Sequence, residues 1–284
     1  RAVQLGLPVE KALQMATIQP ARCYGLYRLG MIAPGRQADF VILDNVTDLN
    51  VVDVYHCGKK IIKDEKAELK PCPPYLKNTV HVSGFSEERL KLKHPGTKAR
   101  VIQMLEKQIV TRDVLEEVPW IESDGEKYFA PDGEYQKIAV IERHKNTGKM
   151  GVGIIKGYGI RGGAIASSVS HDSHNIIVVG DNDRDMAVKE MMRTQGGDTL
   201  VFNGDIYGTL PLPVMGLMSD AGYESVNEAL SKMIPKAHEM GVKEGFDPFI
   251  TLSFMALPVI PEIRITPRGI YLVNEDRMLR TPFS

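Results

Sequence analysis

Cysteine is scarce in this chain. There are three, Cys23, Cys57 and Cys72, an odd number at wide spacing. That excludes a disulfide framework and suits a reducing compartment, so the expected location is cytoplasmic. Long apolar runs are missing too. None approaches the roughly 20 residues that span a bilayer, and no secretory signal is legible at the start; no membrane role is expected. Neither sign of charge is in excess. Lys and Arg number 35 against 36 Asp and Glu, a formal net charge of −1. No global field draws nucleic acid or anionic lipid, so neither is an expected partner. The one locally basic stretch, "RLKLKHPGTKAR" from Arg89 to Arg100, follows the acidic "SEER" and carries a Pro-Gly turn. It reads as a solvated surface segment. Internal repeats and low-complexity tracts are absent.

What is present is ordinary for a globular protein: 284 residues, 43% hydrophobic and 25% charged, enough for one large domain or two ordinary ones. The opening Arg1 enters what reads as a helix already under way, which suits a piece of a longer polypeptide. "PVEKALQMATIQPARCYGL" predicts a helix beginning at Pro8, with Val9, Ala12, Leu13 and Ala16 at helical spacing, broken at Thr17 and Pro20. Phe40 to Leu43 predicts a short strand after the Pro34-Gly35 turn. "NVVDVYHCGKKII" predicts two strands joined at Gly58-Lys59. From Lys63 to about Gln136 the pattern weakens. "KPCPPYLKN" cannot be a central strand, because Pro71, Pro73 and Pro74 lack donors. A main boundary is expected near residue 75.

Beyond it, strand and helix signals alternate. Strands are expected at Ile138–Glu142, Met150–Ile155, Ile176–Val179 and Leu200–Phe202, and helices at Asp183–Gln195 and Ser225–Met240. Asp183 and Asp185 fall in the first turn of the earlier helix, where they complement its dipole. Phe249–Leu257 and Ile263–Thr266 read as late strands or buried turns. The order gives an α/β fold (α+β mixed), layered around a mixed sheet.

Two motifs carry chemistry on paper. "GYGIRGG" holds G-x-G-x-x-G at Gly157, Gly159 and Gly162, with Asp181 where a ribose-binding acid would lie. The helix that should follow fails in propensity and period: "AIASSVSHDSHN" has four serines and a His-Asp-Ser-His cluster. Glycines that turn tightly or let backbones approach are the favoured reading. Base-flipping zinc deaminases are excluded. They need an H-x-E, absent here, and a P-C-x-x-C, in which Tyr75 stands where the second cysteine should be.

The second motif is "SVSHDSHN". His171 and His174 can bind a transition metal with help from Asp172, with Glu142 and His144 of "IERHKNTG" completing the set across the sheet. Three readings stand: a polar site facing a cleft, an accessory metal site, or a polar turn ahead of a buried strand. The candidate catalytic residues are His171, Asp172 and His174. Ser170, Asn175 and Glu142 are candidate substrate-binding residues, and His171 and His174 are possible accessory metal ligands.

The segment "MATIQPARCYGLYRLGMIAPGRQADFVILD" resembles the C-terminal signature of the amidohydrolase superfamily through Ala16-Thr17, Gln19-Pro20-Ala21, Gly30, Ile32, Pro34-Gly35 and Ala38-Asp39. "GAIASSVSHDSHNIIVVG", "LPLPVMGLMSD" and "DPFITLSFMALPVIPEIRIT" resemble the C-terminal domain of the adenine deaminases. The resemblance implies adenine as substrate, hydrolysed to hypoxanthine and ammonia. It implies a metal-dependent (β/α)8 barrel with manganese or iron at a two-metal centre, whose activated hydroxide attacks the ring carbon bearing the amine. The superfamily's ligands, a His-x-His, a bridging acid, two later histidines and an Asp, match no residue here and are expected before Arg1. On this reading residues 1–27 are the last helical part of the barrel and 28–75 the small β domain. Residues 76–136 connect, and 137–284 form the C-terminal domain. The remainder of the barrel and a homo-oligomer are the expected partners. Another amidohydrolase, or a non-catalytic binding domain, are the alternatives.

Overall fold

The computed structural model describes residues 1–61, 71–96, 98–182 and 184–283. The chain divides into two compact units, Arg1–Glu68 and Leu69–Ser284. Among the described residues no helix is long and apolar enough to cross a membrane.

The first unit opens with α1 (Val9–Ala16) and α2 (Ile18–Cys23). Pro8 sits just ahead of α1, and Thr17, at φ −130°, breaks the two apart. Pro20 does not break the chain as expected. It lies in the first turn of α2, where a missing N–H costs nothing. Strands β1 (Phe40–Leu43), β2 (Val51–His56) and β3 (Lys59–Ile61) then form an antiparallel sheet in chain order. The β2–β3 turn is Cys57-Gly58, one residue earlier than predicted. Both residues have positive φ, 49° and 77°, as a two-residue hairpin turn of the primed type requires.

The second unit is built on an eight-stranded sheet. Its strands are β4 (Ala99–Met104) and β5 (Thr111–Glu116), then, beyond a separate hairpin of β6 (Trp120–Ser123) and β7 (Glu126–Phe129), β8 (Tyr135–Ile141), β9 (Met150–Lys156), β10 (Gly163–Ser167) and β11 (Ile176–Gly180). Helix α3 (Arg184–Thr194) leads to β12 (Gly197–Phe202) and β13 (Asp205–Pro211). The spatial order is β13-β12-β10-β11-β8-β9-β4-β5. Only β4 and β9 pair parallel, so the sheet is mixed. Helices α4 (Tyr223–Glu239) and α5 (Ile250–Ser253) and a small antiparallel sheet, β14 (Ile263–Thr266), β15 (Gly269–Leu272) and β16 (Arg277–Leu279), complete it.

The stretch read as connecting, residues 76–136, supplies β4 and β5 to this sheet, and Ala99, Val101 and Ile102 of β4 have no exposed surface. Its Arg and Gln positions had masked the strand pattern. Residues 63–70 and Asp183, part of the same expectations, lie outside the described residues. Phe249–Leu257 is helical rather than a strand: α5 runs on into a 3-10 turn at Phe254–Ala256. Asp247 starts it, its Oδ1 accepting from the N–H groups of Phe249 (3.0 Å) and Ile250 (2.8 Å). A short buried apolar run has no period that separates the two outcomes.

Both faces of the large sheet are covered, which is why β11 reads "IIVVG" without alternation. On one face Ile102, Ile138, Val140, Ile165, Ile177 and Leu200 pack against Met233 and Ala237 of α4, the α5 segment and the small sheet. On the other, Val101, Ile141, Val152, Ile154, Ile176 and Val178 pack against Ala187, Val188 and Met191 of α3 and the 80–92 segment.

Asp198 is an exception inside this core. Its carboxyl is buried and Oδ1 has no hydrogen-bond partner. Burial, with Asp247 adding to it and Ser167 opposing it, pushes its pKa up to about 6. A carboxyl raised in the folded state favours folding while protonated. That stabilisation is fully present below about pH 4 and is lost as pH rises through 6. Asp198→Asn is therefore expected to match the parent at pH 4 and exceed its stability at pH 8 by up to about 3 kcal/mol. Denaturant unfolding at the two pH values checks it, and an unchanged difference would refute it.

The first unit leaves much apolar surface in water. No residue of α1 is buried, and Leu5, Met15, Tyr24, Tyr27 and Ile32 are exposed. Concentration-dependent association is expected. Sedimentation should show it weakening in a Leu13→Glu, Met15→Glu variant; a monodisperse monomer at high concentration would count against it.

Candidate functional site

One end of the large sheet collects the residues singled out above. There β8 passes into β9 through residues 142–149, β10 into β11 through 168–175, and β12 begins. The register brings these together: Ile176 pairs with Ile141, Ser167 with Ile177 and with Asp198.

Arg143 sits at the centre. It is 1% exposed, and among the described residues no carboxylate forms an ion pair with it. Its guanidinium donates instead to backbone carbonyls from three separate segments: Nε to His174, Nη1 to Thr79 (3.2 Å) and Nη2 to Met215 (3.0 Å). Its own N–H donates to Asn175 Oδ1 (3.4 Å), and its carbonyl accepts from His81 N–H (2.8 Å). Desolvation lowers its pKa to about 10, which leaves it charged at neutral pH. Gly216 makes room for it: a Cβ there would lie 2.7 Å from Nη1.

Around this cation the 168–175 loop is fixed. Ser168 Oγ donates to Gly216 O (2.6 Å) and accepts from Gly197 N–H (2.7 Å). Ser170 is buried with its hydroxyl unpartnered, and its carbonyl accepts from His174 N–H. His171 N–H donates to Ser253 O (3.0 Å), and its ring packs on Phe254 at 5.1 Å and on His174 at 5.9 Å. Asp172 is 86% exposed at the tip. His174 has φ 48°, and its Nδ1 is buried without a partner. Burial, then His171 and Arg143, push its pKa down, so this imidazole is neutral at pH 7.

A cleft of about 810 Å³ opens beside the loop, lined by Glu142, His144, Ser173 and Asn175 on one wall and by Arg268 and Tyr271 on the other. Of the six candidate residues, Glu142 and Asn175 reach it. His171, Asp172, His174 and Ser170 do not line it. Glu142 is committed to its own turn. Desolvation opposes its ionisation, but the N–H groups of Thr147, Lys145 and His144 and the Thr147 hydroxyl outweigh it and carry the pKa down to about 2.

Glu142 and His144 are not free to complete an accessory metal site with His171 and His174. His144 Nε2 is engaged with Ser173 O (2.7 Å), Glu142 is saturated by the turn, and Asp172 Oδ1 stands 4.0 Å from His171 Nδ1. Among the described residues, three potential metal ligands converge only at Asp39, His56 and Cys57, in the first unit.

The glycine motif is structural. Gly162 and Gly163 donate their N–H groups to the two oxygens of Asp181, at 2.8 and 2.9 Å. The acid that would hold a ribose is used to close the loop. At Gly159 a Cβ would meet Gly241 O at 2.4 Å, so the requirement is close backbone approach. No helix follows; β10 begins at once.

Arg143 and Asp198 were not singled out from the sequence. One is an ordinary basic residue beside a turn, the other an acid opening an apolar strand, and neither type at that place signals burial.

The architecture is that of a mixed α/β domain with a polar loop cluster at one end of its sheet. The adenine deaminase C-terminal domain matches residues 108–277, and the amidohydrolase family matches residues 2–69. The chain belongs to the adenine deaminase C-terminal domain family. It is 49% identical to the adenine deaminase of Desulfitobacterium hafniense over 282 residues, 99% of this chain and 49% of that protein. It is 42% identical to those of Nitratidesulfovibrio vulgaris over 279 residues (96% and 48%) and Clostridium acetobutylicum over 288 residues (98% and 50%). The chain spans about half the length of these curated relatives.

Replacing Glu142 with Gln turns one of its two oxygens into a donor, which then faces two of the four groups that donate to it. The variant is expected to lose about 1–3 kcal/mol at pH 7. The ionised carboxylate's contribution is present above about pH 4.5 and lost as pH falls toward 2. The gap between the two proteins should close over that window, as followed by denaturant unfolding.

Proposed function

We propose that this chain is the C-terminal part of an adenine deaminase, which hydrolyses adenine: the bond to the exocyclic amine breaks, a bond to oxygen from water forms, and hypoxanthine and ammonia leave. The reading is carried by identity of 40–49% to proteins of that name over 96% or more of this chain. Manganese or iron at a two-metal centre supplies the nucleophilic hydroxide in such an enzyme. The side chains near the 168–175 loop do not fit that centre, so no step is assigned to them through it. The remainder of the barrel is the partner that carries it, and residues 1–27 and 28–75 are the barrel's last helices and its small β domain.

The 168–175 loop is the part of this chain assigned to substrate. Arg143 holds it from below, and His171 and His174 set two rings side by side, their centroids 5.9 Å apart. Their role is to orient the purine or accept a hydrogen bond from it at the barrel mouth. The free cysteines support a cytoplasmic setting, and the apolar surface of the first unit supports a homo-oligomer.

Two measurements test this. The chain alone should release no ammonia from adenine, and metal-dependent release that is sensitive to mutation in it would refute the reading. In an enzyme that includes the barrel, His171→Ala and His174→Ala should each lower adenine turnover at least roughly tenfold, about 1.4 kcal/mol of transition-state stabilisation, with the melting temperature nearly unchanged. Full activity in both, or loss only through unfolding, would make the loop structural.

A further inference from the structure

We propose that Asp39, His56 and Cys57 form a metal site of the zinc class at the tip of the β2–β3 hairpin. The three residues meet because the strand order of the small sheet brings the approach to β1 against the β2–β3 turn. Asp39 Oδ1 accepts from Cys57 N–H at 2.8 Å and lies 3.0 Å from His56 Nδ1. Its Oδ2 accepts from Gln37 Nε2 at 2.6 Å. Cys57 Sγ lies 3.7 Å from His56 Nε2, the ring nitrogen opposite the one that faces Asp39, so the imidazole must turn to offer both neighbours one shared ion. One ligand atom from each residue falls within 4.8 Å of the other two. Metal bonds of about 2.0–2.3 Å set tetrahedral ligand atoms roughly 3.3–3.8 Å apart, so side-chain rotations close the site.

The backbone adds an independent observation. Cys57 occupies the first centre of the turn at φ 49°. Asn, Asp and Gly are the residues that suit such a position, and Cys is not among them. The turn sets this thiol beside an imidazole and a carboxylate. All three side chains are reachable from solvent.

The donor set selects the metal. One thiolate, one imidazole and one carboxylate favour zinc over magnesium, calcium or manganese. Three protein ligands leave a fourth position for water. Binding expels the Cys57 thiol proton to solvent, so affinity falls as pH is lowered. The ion would tie the 37–39 segment to the hairpin tip. This site is separate from the deaminase reading and stands or falls without it.

Cobalt(II) titrated into the reduced chain tests it. A near-ultraviolet thiolate-to-cobalt charge-transfer band should grow to saturation at one equivalent and be bleached by zinc. It should persist in a Cys23→Ser, Cys72→Ser variant, where Cys57 is the remaining thiol. Cys57→Gly suits the turn conformation and should fold, yet lose the band. His56→Ala should weaken zinc affinity at least tenfold. Absence of the band in the parent chain, or unchanged zinc affinity in His56→Ala, would overturn the proposal.

Discussion

The buried guanidinium of Arg143 is the contact on which the end of the large sheet depends. A cation this deep needs hydrogen-bond acceptors, and among the described residues no carboxylate pairs with it. The protein answers it with backbone carbonyls of Thr79, His174 and Met215, which lie far apart in sequence. Each carbonyl is useful only if its segment is held in place. Hence Gly216 cedes space, His81 and Asn175 clasp the Arg143 backbone, and Ser168 ties the β10 exit to Gly197 and Gly216. The His171–His174 rings rest on that arrangement, so their geometry is a consequence of a charge that they do not touch through their own side chains.

Three acids show how local donors decide a carboxylate's fate. Glu142 collects three backbone N–H groups and a hydroxyl, and stays ionised although partly desolvated. Asp198 faces the core with one oxygen unanswered, and burial raises its pKa into the range near 6. Asp181 spends both oxygens on the N–H groups of Gly162 and Gly163, which turns a nucleotide-like motif into a closed loop. Residue type is the same or similar in all three. The number of aimed donors is what differs.

The same contrast governs the two clusters of candidate metal ligands. Between Glu142 and His174 the right residue types crowd one end of the sheet, but Glu142 is spent on its own turn and His144 on the Ser173 carbonyl. At the β2–β3 tip the residue types are fewer, and they converge. Sequence proximity pointed to the first cluster, whereas Asp39 meets His56 and Cys57 only because β1 and β2 pair.

Local pattern was enough for β8, β9, β11, β12, α3 and α4, because each carries a period or a run dictated by burial on one or both faces. It was enough to show that no helix follows the glycine loop, since helix propensity and period are local properties. It located the 168–175 loop as a dense polar stretch between buried strands. It did not reveal β4 and β5, whose polar positions hide membership of a sheet formed mostly by distant strands, nor the helical state of Ile250–Ser253, which one cap at Asp247 decides. The burial of Arg143 and Asp198, the saturation of Glu142, and the separation of His171 and His174 from the adjoining cleft were decided by tertiary structure alone. Each depends on which remote backbone groups arrive beside a side chain, and that is set by strand order and register rather than by neighbours in the chain.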